Sequence, residues 1–233
     1  ARQLTDSILN ESFNKFERFS RAHNINYLTL TSHDEKQRKA ECIFKPIVIK
    51  NSLGQYVSDL NKTQLRLAET EKYPHVTFFF NGGVEEKYKG EKRILIPSQK
   101  VATYDLAPEM SAYLITEKLN EAIISKSYDL IVCNYANADM VGHTGNLDAA
   151  IKAIEVLDEC IQKVYKAIKK IGGQMIITAD HGNVEMMMDT KNQQKHTQHT
   201  VNKVPFVYVG KQIKKIKKGG QLSDIAPTIL ELM

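Results

Sequence analysis

Short runs of apolar residues alternate along most of the chain with longer segments in which apolar residues recur every three or four positions. The clearest runs are residues 130–133, 175–178 and 206–209. Nearly continuous apolar runs of this length are typical of strands that are covered on both faces. Their alternation with helical segments indicates βαβ units. We therefore predict an α/β fold with a mainly parallel sheet flanked by helices.

The strongest helical pattern spans residues 147–170, between the first two of these runs. Charged residues surround one apolar stripe, which predicts an amphipathic helix packed on the sheet. The stripe consists of Ile151, Ile154, Leu157, Ile161, Val164 and Ile168. Gly172 and Gly173 should end this helix. Further helices are predicted over residues 4–22 and from Ser223, whose side chain can cap the last helix of the chain.

The character of the sequence changes near Pro46. Before it lie the helical segment 4–22 and two short strand-like runs at residues 27–30 and 42–44. After it the regular alternation of strands and helices begins. Pro46 is therefore the one position at which composition suggests a domain boundary, dividing the chain into residues 1–46 and 47–233.

Composition narrows the classes of function. The chain has 233 residues, of which 42% are hydrophobic, enough for a substantial core. It has neither an apolar run of about 18 residues nor the features of a signal peptide at its start, so we expect a cytoplasmic protein without a membrane partner. Cys42, Cys133 and Cys160 are widely spaced and form no CxxC pair, which favours reduced thiols.

The net charge of +5 comes largely from lysine, and residues 211–218 contain five lysines. Such a run can attract polyanions, but it is also typical of a solvated surface turn. No aromatic residues are interleaved with the lysines, and the chain carries no nucleic-acid-binding motif. We therefore favour a solvated turn and expect no nucleic-acid partner.

Carboxylate and imidazole side chains gather in the segments next to the three predicted strands. They are Asp139, His143, Asp180, His181, His196 and His199. Loops at the carboxyl ends of parallel strands converge on one edge of a sheet. Oxygen and nitrogen ligands without thiolate suit manganese, zinc, cobalt or magnesium. Two such ions can clamp the attacking and leaving oxygens of a phosphoryl group, so we predict a two-metal site for phosphoryl or sulfuryl transfer.

Either Asp–His pair alone would be weak evidence for a metal site, because the patterns Asp-x-x-x-His and Asp-His-Gly both occur by chance. The metal site is favoured by the combination of both pairs, each after a parallel-type strand, with His-Thr before a third strand. His23, His33 and His75 have no such setting. We expect those three histidines to be surface or structural residues.

Several motifs resemble known families. Residues 134–145, 178–183 and 222–228 resemble motifs of the alkaline phosphatase superfamily. A longer and more specific run, residues 68–83, resembles the cofactor-independent phosphoglycerate mutases, as do residues 96–98 and 101–106. The resemblance to these mutases covers essentially the whole chain.

The resemblance implies a two-domain enzyme in which an α/β transferase domain is inserted into an alkaline phosphatase-like domain. Residues 1–46 would be the tail of the inserted domain, and residues 47–233 most of the metal-binding domain. The implied reaction interconverts 3-phosphoglycerate and 2-phosphoglycerate in glycolysis and gluconeogenesis. It proceeds through a phosphoserine and requires two divalent ions, most often Mn²⁺, with Mg²⁺, Co²⁺ or Zn²⁺ as alternatives. The full-length enzyme would act as a monomer on this small-molecule substrate.

The resemblance also implies roles for individual residues. Asp139, His143 and His199 would hold one ion, Asp180 and His181 would contribute to the other, and Lys72 would contact the substrate phosphate. His196 matches a variable position and is left out of the ligand set. The nucleophilic serine, a further metal-binding aspartate and an arginine pair match positions upstream of residue 1. We therefore expect the chain alone to be inactive.

Two alternatives stay open. A phosphopentomutase or a metal-dependent phosphomonoesterase would share Asp180 and His181 but would lack the run at residues 69–83. A metal-binding fragment without turnover would be favoured if the gene began near residue 1, because no serine in the chain matches the nucleophile of the family.

Overall fold

The computed structural model describes residues 2–19, 25–31, 40–45, 49–212 and 219–233. The chain divides into two units, residues 1–49 and 50–233, each of which is described by itself. Pro46, His23, His33 and residues 213–218 of the lysine-rich segment lie outside the described residues.

The first unit contains helix α1 (Arg2–Leu9) and two parallel strands, β1 (Leu28–Thr31) and β2 (Glu41–Phe44). Both strands form at the predicted places. The helix predicted over residues 4–22 is too long, because α1 ends at Leu9. The Asn10 side chain accepts the Ser12 N–H at 2.9 Å, a local turn that competes with continuation of the helix. Arg18 then donates to the carbonyls of Ser7 and Asn10 at the end of the helix.

The second unit begins with α2 (Leu53–Asp59) and β3 (Gln64–Glu69), followed by the short helix α3 (Tyr73–Val76). Then come β4 (Glu91–Ile96), α4 (Ala112–Ser125), β5 (Leu130–Cys133), α5 (Asn137–Gly142) and α6 (Leu147–Ile171). The chain continues with β6 (Met175–Thr178), β7 (Met188–Asp189), β8 (Gln194–Lys195), β9 (Phe206–Val209) and α7 (Ile225–Leu232).

Strands β4, β3 and β5 form a parallel sheet with β3 in the centre. Ile131 and Cys133 of β5 pack with α4 and α6, whereas Leu130 and Val132 pack with α2 and α7. Helices therefore cover both faces of this sheet, and the predicted α/β class is confirmed. No helix of the described residues is long and apolar enough to cross a membrane.

The strands predicted at residues 130–133, 175–178 and 206–209 form as β5, β6 and β9. Strand β9 pairs with β6 in the antiparallel direction, and the two form a separate ladder among the described residues. The expectation that all three strands are covered on both faces is wrong for β9, because Phe206 and Val207 are exposed. Strand β9 pairs only along its β6 side in the described part of the chain.

Central strand β3 is buried along its whole length although it carries polar residues. The Arg66 guanidinium lies 4.3 Å from the centre of the Phe80 ring and donates to Gln64 Oε1 at 2.6 Å. Burial lowers the pKa of Arg66 to about 10, and the nearby charge of Glu91 opposes this shift. Because its residues are not continuously apolar, the hydrophobic pattern does not single out β3.

Helix α6 matches its predicted bounds within one residue. Asn146 caps its start by accepting the Ala149 N–H, and Gly172, with a φ of 69°, ends it in the left-handed conformation. The predicted apolar stripe is wrong at its first turns, because Ile151 and Ile154 are exposed. Val164 and Ile168 of the predicted stripe are buried, and the other buried residues of the helix are Ala149, Ala150, Ala153, Val156, Cys160 and Ala167. Small side chains at the start of α6 let it pack closely on Val141 of α5 and on Met110.

The last helix, α7, follows a one-turn segment, Leu222–Asp224. The predicted cap by Ser223 is wrong: Gln221 and Asp224 form a reciprocal capping box around this segment, in which the Asp224 carboxylate accepts the Gln221 N–H at 2.8 Å, and Asp224, the residue before α7, makes no side-chain cap to that helix. Ala226, Ile229 and Leu230 then pack on β5 and α2.

Replacing Ile168 with Ala should lower the free energy of unfolding by about 2–5 kcal/mol, because Ile168 is only 9% exposed and its removal leaves a cavity. The matched change Ile154→Ala, on the same helix but at a position that is 45% exposed, should cost less than about 1 kcal/mol. Chemical unfolding of the two variants in the full-length protein measures the difference. Equal losses would contradict the orientation assigned to α6.

Candidate metal centre

Three chain segments bring the predicted ligands together in the second unit. Asp139 lies in the first turn of α5, directly after β5, and His143 follows the end of that helix. Asp180 and His181 lie in the loop that follows β6. His199 lies in the segment before β9, which pairs with the β6 loop through an antiparallel bridge between Gly182 and Thr200.

Asp139 is at the centre of the cluster. Its Oδ1 atom lies 3.1 Å from Nε2 of His143 and 3.1 Å from Nε2 of His199. The two Nε2 atoms are themselves 3.1 Å apart. The His181 ring stacks on the His199 ring with 3.6 Å between centroids. Among the described residues, donor atoms of Asp139, His181 and His199 lie within 4.8 Å of one another, which is close enough to share an ion.

Asp180 lies beside this group of three. Its carboxylate is 3.5 Å from Nε2 of His181, and its side chain is more than half exposed. His196 is also outside the group, and its backbone N–H donates to the Met187 carbonyl. His75 is an exposed residue whose ring packs on Phe79.

Lys72 reaches the cluster from the end of β3 through the turn Thr70–Lys72. It is only 7% exposed, and its ammonium group forms a hydrogen-bonded ion pair with Oδ2 of Asp139. Burial raises the pKa of Asp139, but the hydrogen bonds from Lys72 and Asn183 and the charge of Lys72 outweigh burial and hold that pKa below its usual range. The carboxylate therefore remains ionised, as a metal ligand requires.

The tautomer of His143 follows from its hydrogen bond. Nδ1 lies 2.7 Å from the Thr197 carbonyl oxygen, which can only accept, so Nδ1 carries the proton. In the neutral imidazole, Nε2 then presents its lone pair toward Asp139 and His199. This is the usual way in which a backbone carbonyl orients a metal-binding imidazole.

The donor set fits a divalent ion. Carboxylate oxygen and imidazole nitrogen converge at short distances, and the described group contains no thiolate. Close approach of several lone-pair donors is unfavourable without a cation between them. Oxygen and nitrogen donors suit manganese, cobalt, zinc or magnesium.

Asn183 is a further residue of the site that the sequence motifs did not single out. It is 5% exposed, and its Nδ2 donates to Oδ1 of Asp139 at 2.7 Å. Gly142 makes this packing possible, because a Cβ at that position would collide with the Asn183 side chain. The only signal in the sequence was its place at the end of the motif at residues 178–183.

Glu69 directly precedes the turn that carries Lys72. It is fully buried at the end of β3, where Oε2 accepts the Ser98 hydroxyl at 2.9 Å and Oε1 accepts the Ser111 N–H at 3.4 Å. Burial raises the pKa of Glu69, and the hydrogen bonds from Ser98 and Ser111 only partly offset this rise.

Nearby, the Tyr104 hydroxyl donates to Glu71 at 2.8 Å, and the pKa of Tyr104 rises to about 12 through burial and this hydrogen bond.

The raised pKa of Glu69 predicts how stability changes with pH. A folded-state pKa above the unfolded value contributes stability that is present below the unfolded pKa, about 4.3, and is lost as pH rises through the folded pKa. Glu69→Gln cannot titrate. The wild type should therefore lose stability relative to this variant as pH rises above about 4.3. Urea unfolding of both proteins at several pH values tests this, and a constant difference would contradict it.

The fold and these donors are typical of a metal-binding α/β domain. Residues 15–233 match the family model described as "Metalloenzyme superfamily", and the chain belongs to that superfamily.

Several curated relatives have the name 2,3-bisphosphoglycerate-independent phosphoglycerate mutase. The protein from Methylobacillus flagellatus is 55% identical over 234 residues, and that from Francisella tularensis subsp. novicida is 57% identical over 234 residues. Both alignments cover 100% of this chain and 45% of the relative, so the chain spans a little under half the length of these proteins.

A solved structure is also similar to the chain. A crystal structure of Leishmania mexicana phosphoglycerate mutase at low cobalt concentration matches with a TM-score of 0.74 and 31% identity. The match covers 89% of this chain and 40% of that one. Together with the curated relatives, it confirms the resemblance predicted from the motifs.

Proposed function

We propose that this chain is part of a cofactor-independent phosphoglycerate mutase that interconverts 3-phosphoglycerate and 2-phosphoglycerate in glycolysis and gluconeogenesis. The observation that carries the proposal is the convergence of Asp139, His143, His181 and His199 beside the buried ammonium group of Lys72. The names and high identity of the relatives support the same activity.

Residues 47–233 supply most of the metal-binding, phosphatase-like domain in this proposal, and residues 1–46 are the tail of the inserted transferase domain. The separation of the chain into units 1–49 and 50–233 supports this division. The full-length protein is a cytoplasmic monomer in this proposal.

Asp139, His143 and His199 hold one ion in the proposed centre, and Asp180 and His181 contribute to the second. When bound, the ions supply positive charge for the oxygens of the transferring phosphoryl group. Mn²⁺ is the proposed native ion, and the donor set also suits Co²⁺, Mg²⁺ and Zn²⁺. The related Leishmania mutase structure was obtained at low cobalt concentration.

Lys72 binds the phosphate of the substrate. Its ammonium group is a compact cation held in a largely buried position, where its attraction for an anion is screened less than in bulk water. In the present structure the ammonium group is paired with Asp139. Because one cation can contact both the carboxylate and a phosphate oxygen, Lys72 can orient the phosphate at the edge of the metal centre. The attacking serine belongs to the part of the protein upstream of residue 1.

The test is to incubate the full-length protein with 3-phosphoglycerate and Mn²⁺, without 2,3-bisphosphoglycerate, and to follow 2-phosphoglycerate with an enolase-coupled assay. We expect turnover by the full-length protein and none by residues 1–233 alone. A requirement for added 2,3-bisphosphoglycerate would contradict the proposal. Isomerisation of a pentose phosphate instead would favour the phosphopentomutase alternative.

A further inference from the structure

Glu185 connects the two loops that carry His181 and His199. Its Oε2 atom accepts the backbone N–H of Asn183 at 2.6 Å, within the first loop. Its Oε1 atom accepts the Thr200 hydroxyl and the Asn202 amide, the latter at 3.0 Å, both from the second loop. Three donors from two segments thus converge on one carboxylate.

The backbone conformation of the two loops leaves room for the Glu185 carboxylate. The Thr200 N–H donates to the Gly182 carbonyl at 2.9 Å, so the two loops meet as a short antiparallel bridge. A Cβ at Gly182 would collide with both the Thr200 hydroxyl and the Glu185 carboxylate. Only glycine therefore allows the carboxylate to lie across the bridge.

Two of the three residues bound by Glu185, Thr200 and Asn183, are next to, or in contact with, a member of the donor cluster. Thr200 directly follows His199, and Gly182 directly follows His181. Asn183, whose N–H Glu185 accepts, donates its side-chain amide to Asp139. The Glu185 carboxylate therefore fixes the relative positions of the three segments from which Asp139, His181 and His199 extend.

We propose that Glu185 is a positioning residue that sets the geometry of the metal centre without touching the ion. The proposal rests on the metal-binding function proposed above. It assigns to Glu185 the role that outer hydrogen-bonding partners play at other metal sites, where their loss typically weakens metal affinity about 10–100-fold.

The test uses Glu185→Gln in the full-length protein. Glutamine keeps the shape of the side chain but replaces one acceptor oxygen with an NH₂ group, which must face a donor from one of the two loops. Co²⁺ is the probe, because its visible absorption reports the geometry of its ligands. We expect about 10-fold weaker Co²⁺ binding in a calorimetric titration and a changed absorption spectrum. The melting temperature of the metal-free protein should remain close to that of the wild type.

Thr200→Val is a second variant, which removes the hydroxyl donor while the carboxylate and the backbone bridge remain. Thr200→Val should also weaken Co²⁺ binding, and it provides the test of the Glu185 contact if Glu185→Gln fails to fold. The control is Glu86→Gln, at an exposed glutamate in the turn before β4, which should bind Co²⁺ like the wild type.

Wild-type Co²⁺ affinity and an unchanged spectrum in a folded variant, Glu185→Gln or Thr200→Val, would overturn the assignment of Glu185. Failure of the wild-type protein itself to bind Co²⁺ would instead overturn the proposed metal-binding function. The two failures are therefore distinguishable.

Discussion

Asp139→Asn in the full-length protein is expected to weaken metal binding more than 100-fold and to lower mutase turnover on the order of 10³-fold. Among the described residues, Asp139 is the one carboxylate that approaches both His143 and His199 at 3.1 Å, and it also pairs with Lys72. Asparagine keeps the size of the side chain but removes the negative charge and leaves only one acceptor oxygen. Metal content measured on the purified protein, together with the coupled assay, gives both quantities.

Asp158→Asn is the matched control, because Asp158 is an exposed residue of α6 and the charge change is the same. It should leave both metal content and turnover near the wild-type values. Wild-type turnover in Asp139→Asn would remove this residue from the metal centre.

Lys72→Met is expected to lower kcat/KM by about 10²–10³-fold while the protein keeps its metal. Methionine fills a similar volume without the charge. The ammonium group pairs with the Asp139 carboxylate and would compete with a metal ion for it. Removing the ammonium group should therefore leave metal affinity unchanged or raise it. This separates Lys72 from the ligands, whose loss should reduce metal affinity and turnover together.

Lys92→Met, at an exposed lysine of β4, is the control for the loss of a positive charge and should have nearly wild-type kinetics. Steady-state kinetics and metal analysis of both variants provide the comparison. Loss of metal in Lys72→Met would contradict the role assigned to the ammonium group, as would an unchanged kcat/KM.

The positions of β5 and β6 could be predicted because these strands are marked by a local property of the sequence, a run of apolar residues. Strands β5 and β6 are continuous apolar runs, and β5 faces helices on both sides of the sheet. Strand β3 is buried at every position, more completely than β5 or β6. Its Arg66 is accommodated by Gln64 in the same strand and by the ring of Phe80, which lies outside the strand. A strand whose burial depends on such partners contains no continuous apolar run by which it could be recognised in the sequence.

The buried face of α6 was harder to predict, because the larger apolar side chains at the start of the helix are not the ones that are buried. Ile151 and Ile154 are larger and more apolar than Ala150 and Ala153, yet the alanines are buried. Close packing between helices favours the small residues, and this preference depends on where α5 lies. A hydrophobic pattern taken from one helix alone does not contain that information.

Much of the candidate site could be predicted because its residues follow strand ends whose loops converge. Spacing alone brought His143 and Asp139 together, since residues four apart on a helix lie on the same face. The contact of Lys72 with Asp139 links positions 67 residues apart, and only the family resemblance suggested that Lys72 belonged to the site. Asn183 and Glu185 act through hydrogen bonds across loops, which residue type does not reveal.

The most direct measurement is to remove metal from the full-length protein with a chelator and to add Mn²⁺ back while metal content and mutase activity are followed together. Metal-free protein should be inactive, and activity should return as about two ions bind per molecule. Full turnover in protein shown by elemental analysis to be free of metal would contradict the proposed metal-dependent mutase.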